Sequence, residues 1–299
     1  MPVICINAGH NPPSRLWDSV AALPPGAPLV VMTHGYRYSP SHPSTDPHRF
    51  ILSLNPNPRL RRAHSWPRAL GFGQGRPDEG LAIGLGWEAC GSLRDAYDRA
   101  AEVGAELGAT ITRLSQISNR PVAIIGHSMG GRVALQALRH TEPGCVRRVV
   151  LLTGAEFRDT AAHAMTSPAA ARAEVINITA RENDLFDFGF ETILTGGRRQ
   201  SLGFGLERPL RNWLDVQIDD GATLKSLQLL GFPTECGALH RLSHWTPYLR
   251  RGLFDFYRAA LFQPRALPLG LIRSHLPRRG EPRWSRLLAR PAGWGAARA

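Results

Sequence analysis

The chain is poor in cysteine: 299 residues contain four, at positions 5, 90, 145 and 236, and no two are spaced as C-x-x-C. This scarcity argues against a disulfide-stapled fold, a zinc knuckle or a dithiol redox motif. Long apolar runs are also missing, so no segment reads as a transmembrane helix. The first nine residues lack the basic start and long apolar stretch of a secretory signal, and we therefore expect a cytoplasmic protein.

Lysine is almost absent, since Lys225 is the only one among 36 basic residues, and the formal net charge is +12. Such an excess favours anionic partners in general. Much of it lies after residue 262, where eight arginines accompany the single acid Glu281. We expect residues 263–299 to form a basic Pro/Arg-rich C-terminal tail. Contact of this tail with a membrane surface is a weaker alternative, and no nucleic acid partner is expected.

Seven short apolar runs alternate with longer helical patterns, as in a mostly parallel sheet with crossover helices. This predicts an α/β fold with a central sheet between two helical layers, formed by one domain over residues 1–262. Residues 36–80 are rich in Pro, Ser, His and Gly and are expected to form a loop with a short strand near Leu70. The predicted strands are 2–6, 29–33, 81–85, 122–125, 149–153, 175–179 and 213–218.

A serine stands between the fourth of these strands and the helix that follows it. The stretch Gly126-His-Ser-Met-Gly130 matches G-x-S-x-G in the strand-to-helix context that a nucleophilic serine requires. Glycines two residues before and two after relieve the crowding of so sharp a turn. We therefore expect Ser128 to be the nucleophile, and a serine that merely caps the helix is the alternative.

A nucleophilic serine needs a base and a group that orients the base. The strand over residues 175–179 is followed by Ala180-Arg-Glu-Asn-Asp184, which places carboxylates at the carboxyl end of the sheet. An acid in such a turn commonly lies four or five residues beyond the strand, and this favours Asp184. Asp187 and Glu182 are the alternatives for the acid. The Asn-Asp pair could instead serve only to cap a helix.

Two histidines follow the last predicted strand and helix. His244 is the expected base because it lies in a short polar loop before a final amphipathic helix, whereas His240 is closer to a surface turn. The oxyanion needs two backbone donors. The N–H of Met129 is expected to supply one, and the N–H of Tyr36, after the strand that ends in His34-Gly35, the other.

With these elements in the order Ser, Asp, His, the chain resembles the α/β-hydrolase superfamily, and its Gly-His-Ser-Met-Gly-Gly form is similar to that of bacterial lipase- and esterase-like members. The resemblance covers residues 3–260. It implies hydrolysis of a small-molecule ester, less readily a thioester or amide, through an acyl-enzyme and without metal or cofactor. A catalytically idle hydrolase fold that binds a ligand, and a surface-binding protein that acts through the basic tail, are the rival interpretations.

The family's usual lid position is short here, whereas residues 185–212, after the acid, are longer than a simple crossover. This segment carries several phenylalanines among glycines and arginines, and we expect it to cover the site as an apolar lid, with a plain surface excursion as the alternative. The expected pocket residues are His34, Gly35, His127, Phe186 and Phe188. The trio His42, Asp46 and His48 lies in a Pro-rich loop without the spacing of a metal site, so no metal is expected.

Overall fold

The computed structural model describes residues 2–57, 64–235 and 242–285. Its strands are β1 (Val3–Asn7), β2 (Leu29–Thr33), β3 (Leu81–Gly86), β4 (Val122–His127), β5 (Val146–Leu152), β6 (Glu174–Thr179) and β7 (Trp213–Gln217). They form one sheet in the order β1-β3-β2-β4-β5-β6-β7, with every pair parallel. All seven predicted strands are confirmed.

The helices are α1 (Ser14–Ala21), α2 (Trp66–Ala69), α3 (Leu93–Ser118), α4 (Met129–Arg139), α5 (Arg158–Ala164), α6 (Asp184–Thr195), α7 (Gly221–Leu229), α8 (Thr246–Leu249), α9 (Leu253–Phe262) and α10 (Leu269–His275). Helix α2 lies where a strand near Leu70 was predicted. The Ser65 hydroxyl accepts from Arg68 N and a proline stands in the first turn, and both features favour the start of a helix. None of the described helices combines the length and apolar character that a bilayer span requires.

Alternate side chains of each strand enter two separate cores. On β2, Leu29 and Val31 pack on the side of α3 and α4, whereas Val30 and Met32 pack on the side of α9 and α10. Because successive residues of a strand point to opposite faces, this division requires helices on both faces of the sheet. The predicted three-layer α/β/α architecture is confirmed.

The first half of the segment assigned to a tail packs on the domain. Leu269 and Ile272 of α10 are buried in the second core, and the Arg273 guanidinium donates to the carbonyls of Arg211 and Trp213, both at 2.9 Å. The buried Arg148 guanidinium donates to the Leu267 carbonyl at 2.9 Å. Arg273, which the sequence places in the basic tail, and Arg148 of β5 therefore hold this segment on the domain, and residues 286–299 lie outside the described part.

Candidate active site

Ser128 occupies a strained turn between β4 and α4. Its backbone has φ 54° and ψ −123°, a conformation that a residue with a side chain adopts only when its surroundings enforce it. Three backbone hydrogen bonds do so: Ser128 N donates to Leu152 O at 3.0 Å, and Ser128 O accepts from Gly131 N at 2.9 Å and from Ala155 N at 2.8 Å. The serine is therefore fixed at the carboxyl edge of the sheet.

Two glycines make this turn sterically feasible. A Cβ on Gly130 would lie 2.6 Å from Thr33 O and 2.7 Å from His34 O, and a Cβ on Gly126 would overlap the Gly130 carbonyl. These distances are shorter than real Cβ contacts, and the obstructing atoms are backbone atoms that cannot easily move. Both glycines therefore relieve crowding in the sharp turn, as expected from the sequence.

His244 lies in the loop before α8, and an amide orients its ring. Its Nδ1 lies 2.6 Å from Oδ1 of Asn183, at the end of the 3₁₀ turn that follows β6. Ser243 N donates to the Glu182 carbonyl at 2.9 Å, which ties the two loops together. The Phe186 ring stacks on the imidazole, with the ring centroids 5.0 Å apart and an angle of 27° between the ring planes. The imidazole is thus held by a hydrogen bond along one edge and by an aromatic ring on one face.

His127 holds the backbone of His244 through a hydrogen bond. Its Nε2 lies 2.9 Å from the His244 carbonyl, and burial lowers the pKa of His127 to about 4. The ring is therefore neutral near pH 7 and donates its single N–H to that carbonyl. The prediction placed His127 in the pocket, where it does lie, and the hydrogen bond adds that it fixes the backbone of the histidine loop.

The structure places Asn183 where the sequence analysis expected Asp184. The Asp184 carboxylate accepts from Trp284 N at 2.5 Å and lies 3.4 Å from the Arg181 guanidinium. Neighbouring residues of a 3₁₀ or α turn point roughly 100 to 120° apart, so residues 183 and 184 face different sides of the turn. Residue 183 faces the histidine loop, and residue 184 faces the C-terminal segment.

The alternatives for the acid and the base also have defined positions. Glu182 is buried and its Oε2 accepts from the Thr246 hydroxyl. Asp187 lies in the wall of the pocket, and burial raises its pKa to about 7. His240 lies outside the described residues.

The loop after β2 is held by a second neutral histidine. Burial lowers the pKa of His34 to about 3, and its two ring nitrogens lie 2.9 Å from Gly35 O and 3.0 Å from Trp87 N. Because Trp87 N can only donate, Nε2 accepts and Nδ1 carries the proton that Gly35 O receives. His34 is completely buried and positions this loop from behind rather than lining the pocket.

Both residues predicted to supply oxyanion donors lie at the pocket. Met129 is the first residue of α4, so its N–H has no acceptor within the helix. The Tyr36 phenol donates to Gly91 O at 2.6 Å, which secures the loop that carries the Tyr36 N–H. Gly35 adjoins Ser128 directly, since a Cβ built on it would lie 2.5 Å from Ser128 Cβ.

The pocket is a cleft of about 460 Å³ that contains Ser128 and His244 together. Helix α6 forms much of its wall, and Phe186 and Ile193 remain 41% and 62% exposed at its rim. Within the described residues, Ser128 Oγ makes no hydrogen bond, and its hydroxyl is open to the cleft. The lining residues are Tyr36, Arg37, Tyr38, Leu93, His127, Ser128, Met129, Thr153, Ala155, Asn183, Leu185, Phe186, Asp187, Gly189, Phe190, Ile193, His244 and Trp245.

The segment expected to be a lid is therefore a packed helix and loop beside the pocket. Phe186 lines the cleft, whereas Phe188 lies on another side of α6 and contacts the Trp284 ring at 5.9 Å. Arg283 extends this contact by pairing with Glu191 at 3.1 Å. We call residues 283–284 the C-terminal strap, since they bind α6 at Asp184, Phe188 and Glu191, which do not line the pocket.

Sequence reasoning missed two supporting residues. Asn183 was read only as part of a helix cap, and Trp87 was not considered. Asn183 lies four residues beyond β6, within the range used to choose Asp184, so the spacing indicates this turn but does not distinguish residue 183 from residue 184. Nothing in the local sequence indicates Trp87, because its partner His34 is 53 residues away.

Solved structures that match this chain include a lipase of Bacillus licheniformis in its mature form, BlEst2, at 14% identity over 65% of this chain and 85% of that one, with a TM-score of 0.39. TT1662 of Thermus thermophilus is 14% identical over 82% of this chain and 92% of that one, with a TM-score of 0.40. A lipase-esterase related protein of Clostridium acetobutylicum is 13% identical over 79% and 94%, with a TM-score of 0.36. These likenesses carry no argument about a substrate.

A search of curated proteins found no match. The family model described as the alpha/beta hydrolase family matches residues 30–298, which includes the Ser128 turn, the Asn183 turn and the His244 loop. With the parallel sheet and the serine at its carboxyl edge already established, this match over most of the chain shows that the protein belongs to the α/β-hydrolase family.

Proposed function

We propose that this α/β hydrolase cleaves a carboxylic ester through an acyl-enzyme, with Ser128 as nucleophile and His244 as general base. The observation that supports this most is that a serine in a strained turn and an oriented imidazole line the same cleft. A backbone outlier of this kind is retained where the surrounding structure and the chemistry require it.

In the proposed reaction, Ser128 Oγ attacks the ester carbonyl carbon as His244 Nε2 takes the hydroxyl proton. The C–O bond to the alcohol then breaks, and the imidazolium returns that proton to the leaving oxygen. Water repeats the same steps on the acyl-enzyme and releases the acid. The N–H groups of Tyr36 and Met129 are proposed to bind the negative oxygen of each tetrahedral intermediate.

Asn183 is proposed to orient His244 without the charge of a carboxylate. If Nδ1–H of the imidazole donates to Asn183 Oδ1, the lone pair is left on Nε2, which is the tautomer that a base needs. A neutral amide gives less stabilisation to the imidazolium than an aspartate would. An Asp184 support, as predicted from the sequence, would have supplied both effects.

The cleft favours an ester of an apolar acid. Its wall on α6 carries Leu185, Phe186, Phe190 and Ile193, and Leu93 faces them from α3. Apolar side chains of this kind bind an acyl chain by removing its surface from water.

Labelling with a fluorophosphonate probe tests the nucleophile without knowledge of the substrate. We expect the wild type to be labelled and Ser128→Ala to be unlabelled, because the probe reacts only with an activated hydroxyl. Ser226→Ala, on α7 and outside the cleft, is the control and should be labelled like the wild type. Absence of labelling in a folded wild type would contradict the proposal and favour a catalytically idle, ligand-binding protein.

Asn183→Asp is expected to shift the acid limb of the pH profile of kcat/KM upward. A carboxylate beside Nδ1 favours the imidazolium, so it raises the pKa of the His244 imidazole, and the free base then forms only at higher pH. Asn119→Asp, the same change at the exposed end of α3, should leave the profile in place. An unchanged acid limb in Asn183→Asp would show that residue 183 does not act on the imidazole.

A further inference from the structure

The charges in the wall of the cleft are unevenly balanced. Arg37 is the one arginine among the lining residues, and the only lining carboxylate of the described part is Asp187. Burial raises the pKa of Asp187 to about 7, so this carboxyl is largely uncharged below neutral pH. Asp187 also lies close to the cations of Arg181 and Arg283, which offset its charge when it ionises. The wall of the cleft therefore offers a cation without a matching anion.

Arg37 has no carboxylate partner in the described part of the chain. Glu88, on the neighbouring loop, accepts instead from the Ser39 hydroxyl at 2.5 Å and from Cys90 N at 3.0 Å. The Arg37 side chain is exposed, with its guanidinium carbon 5.7 Å from the centroid of the Tyr36 ring. A partner for this cation would have to come from outside the described chain.

The backbone at Arg37 is both strained and fixed. Its φ is 70°, in the left-handed region that side chains other than glycine rarely occupy. Arg37 N donates to Ala89 O, and Ala89 N donates to Tyr38 O, each at 2.9 Å. This pair of hydrogen bonds holds the loop that also carries the Tyr36 N–H. The arginine is thus placed one residue from a proposed oxyanion donor and lines the same cleft.

We propose that Arg37 selects esters that carry an anionic group, a carboxylate or a phosphate, near the scissile bond. This inference rests on the proposed ester hydrolysis at Ser128. The apolar wall on α6 takes the acyl chain, and the guanidinium pairs with the anion on the other part of the substrate. A guanidinium suits both anions because its planar fork of donors can bind two oxygens at once.

Two esters that differ in one charge test this selectivity. The butyrate esters of 4-hydroxybenzoate and 4-hydroxybenzamide have the same shape, and the ratio of their kcat/KM values, corrected for their rates of alkaline hydrolysis, measures the preference for the anion. The wild type is expected to prefer the anionic ester about fivefold, as for a partly exposed charged contact. Arg37→Gln should abolish this preference, and Arg37→Glu should reverse it.

A matched control separates the local effect from the overall positive charge. Arg147 is exposed near the start of β5, at the opposite end of the strands from Ser128, and Arg147→Gln removes the same charge. This variant should keep the wild-type ratio. An equal ratio in the wild type and Arg37→Gln, or an equal loss in Arg147→Gln, would overturn the inference while leaving ester hydrolysis intact. If neither ester is hydrolysed faster by the wild type than by Ser128→Ala, the proposed function fails and the inference with it.

Discussion

His244→Ala is expected to lower kcat/KM for p-nitrophenyl esters by about 10⁴-fold or more, with the fold retained. Without the imidazole, the Ser128 hydroxyl has no group to accept its proton, and an un-ionised hydroxyl is a weak nucleophile at neutral pH. The side chain is only partly buried, so its loss leaves no large cavity. Steady-state kinetics measure the effect, and circular dichroism verifies the fold.

The proposed roles of Ser128 and His244 also predict how the effects of their removal combine. Ser128→Ala should lose as much activity as His244→Ala, and the double variant should lose little more, because the two groups act in the same step. His163→Ala, on the exposed face of α5, is the control and should behave as the wild type. If His244→Ala stayed within tenfold of the wild type, or if the two losses multiplied, His244 would not be the base for Ser128.

Gly35→Ala is expected to lower kcat/KM by about 10²- to 10³-fold. The added methyl would lie 2.5 Å from Ser128 Cβ and 2.9 Å from the His127 carbonyl, so either the serine or the oxyanion loop must move. Displacement of a nucleophile by about 1 Å, or loss of one oxyanion donor, costs activity of this order. The loss should appear mainly in kcat, because the methyl crowds the reacting atoms rather than the acyl wall.

Gly270→Ala provides the comparison. Gly270 lies in α10, and a Cβ built on it meets no atom within 4 Å. This variant should retain full activity, since the same methyl is added where there is room for it and where alanine favours the helix. Wild-type kinetics in Gly35→Ala would mean that the loop after β2 does not form part of the catalytic site.

The fold could be predicted from the sequence because its signals are local. Runs such as Val30–Met32 and Ile124–Ile125 are apolar without alternation, as strands covered on both faces must be, and each gave a confirmed strand. The strand predicted near Leu70 was wrong because Ser65 starts a short helix there, a cap that an apolar pattern does not reveal.

For the site, the sequence predicted the order of the serine turn, the acid turn and the histidine loop along the chain, but not which side chain of the acid turn contacts the histidine. The Ser128 turn could be predicted because the glycines that make room for it lie within two positions of the serine. The choice between Asn183 and Asp184 depends on which way a single 3₁₀ turn faces, and that is decided by contacts with residues up to 100 positions away. A difference of one position within a turn is beyond what spacing can resolve.

The burial of His34 and His127 illustrates the same limit. In the sequence both read as pocket residues beside reactive groups. In the fold both are neutral and hydrogen-bonded to backbone carbonyls, so both act as supports, and of the two only His127 also lines the cleft. Burial of this kind depends on the packing of several strands and cannot be inferred from neighbours in the chain.

The C-terminal strap links residues 283–284 to the geometry of the proposed active site. Trp284 N holds Asp184, which adjoins the amide that aligns the imidazole, and Arg283 holds Glu191 two turns further along α6. Exchange of residues 263–285 for the corresponding stretch of a relative is therefore expected to change the orientation of the His244 ring, although none of these residues lines the cleft. Changes in this terminal stretch and in the turn after β6 must be compatible with one another, so the two are expected to vary together among homologues.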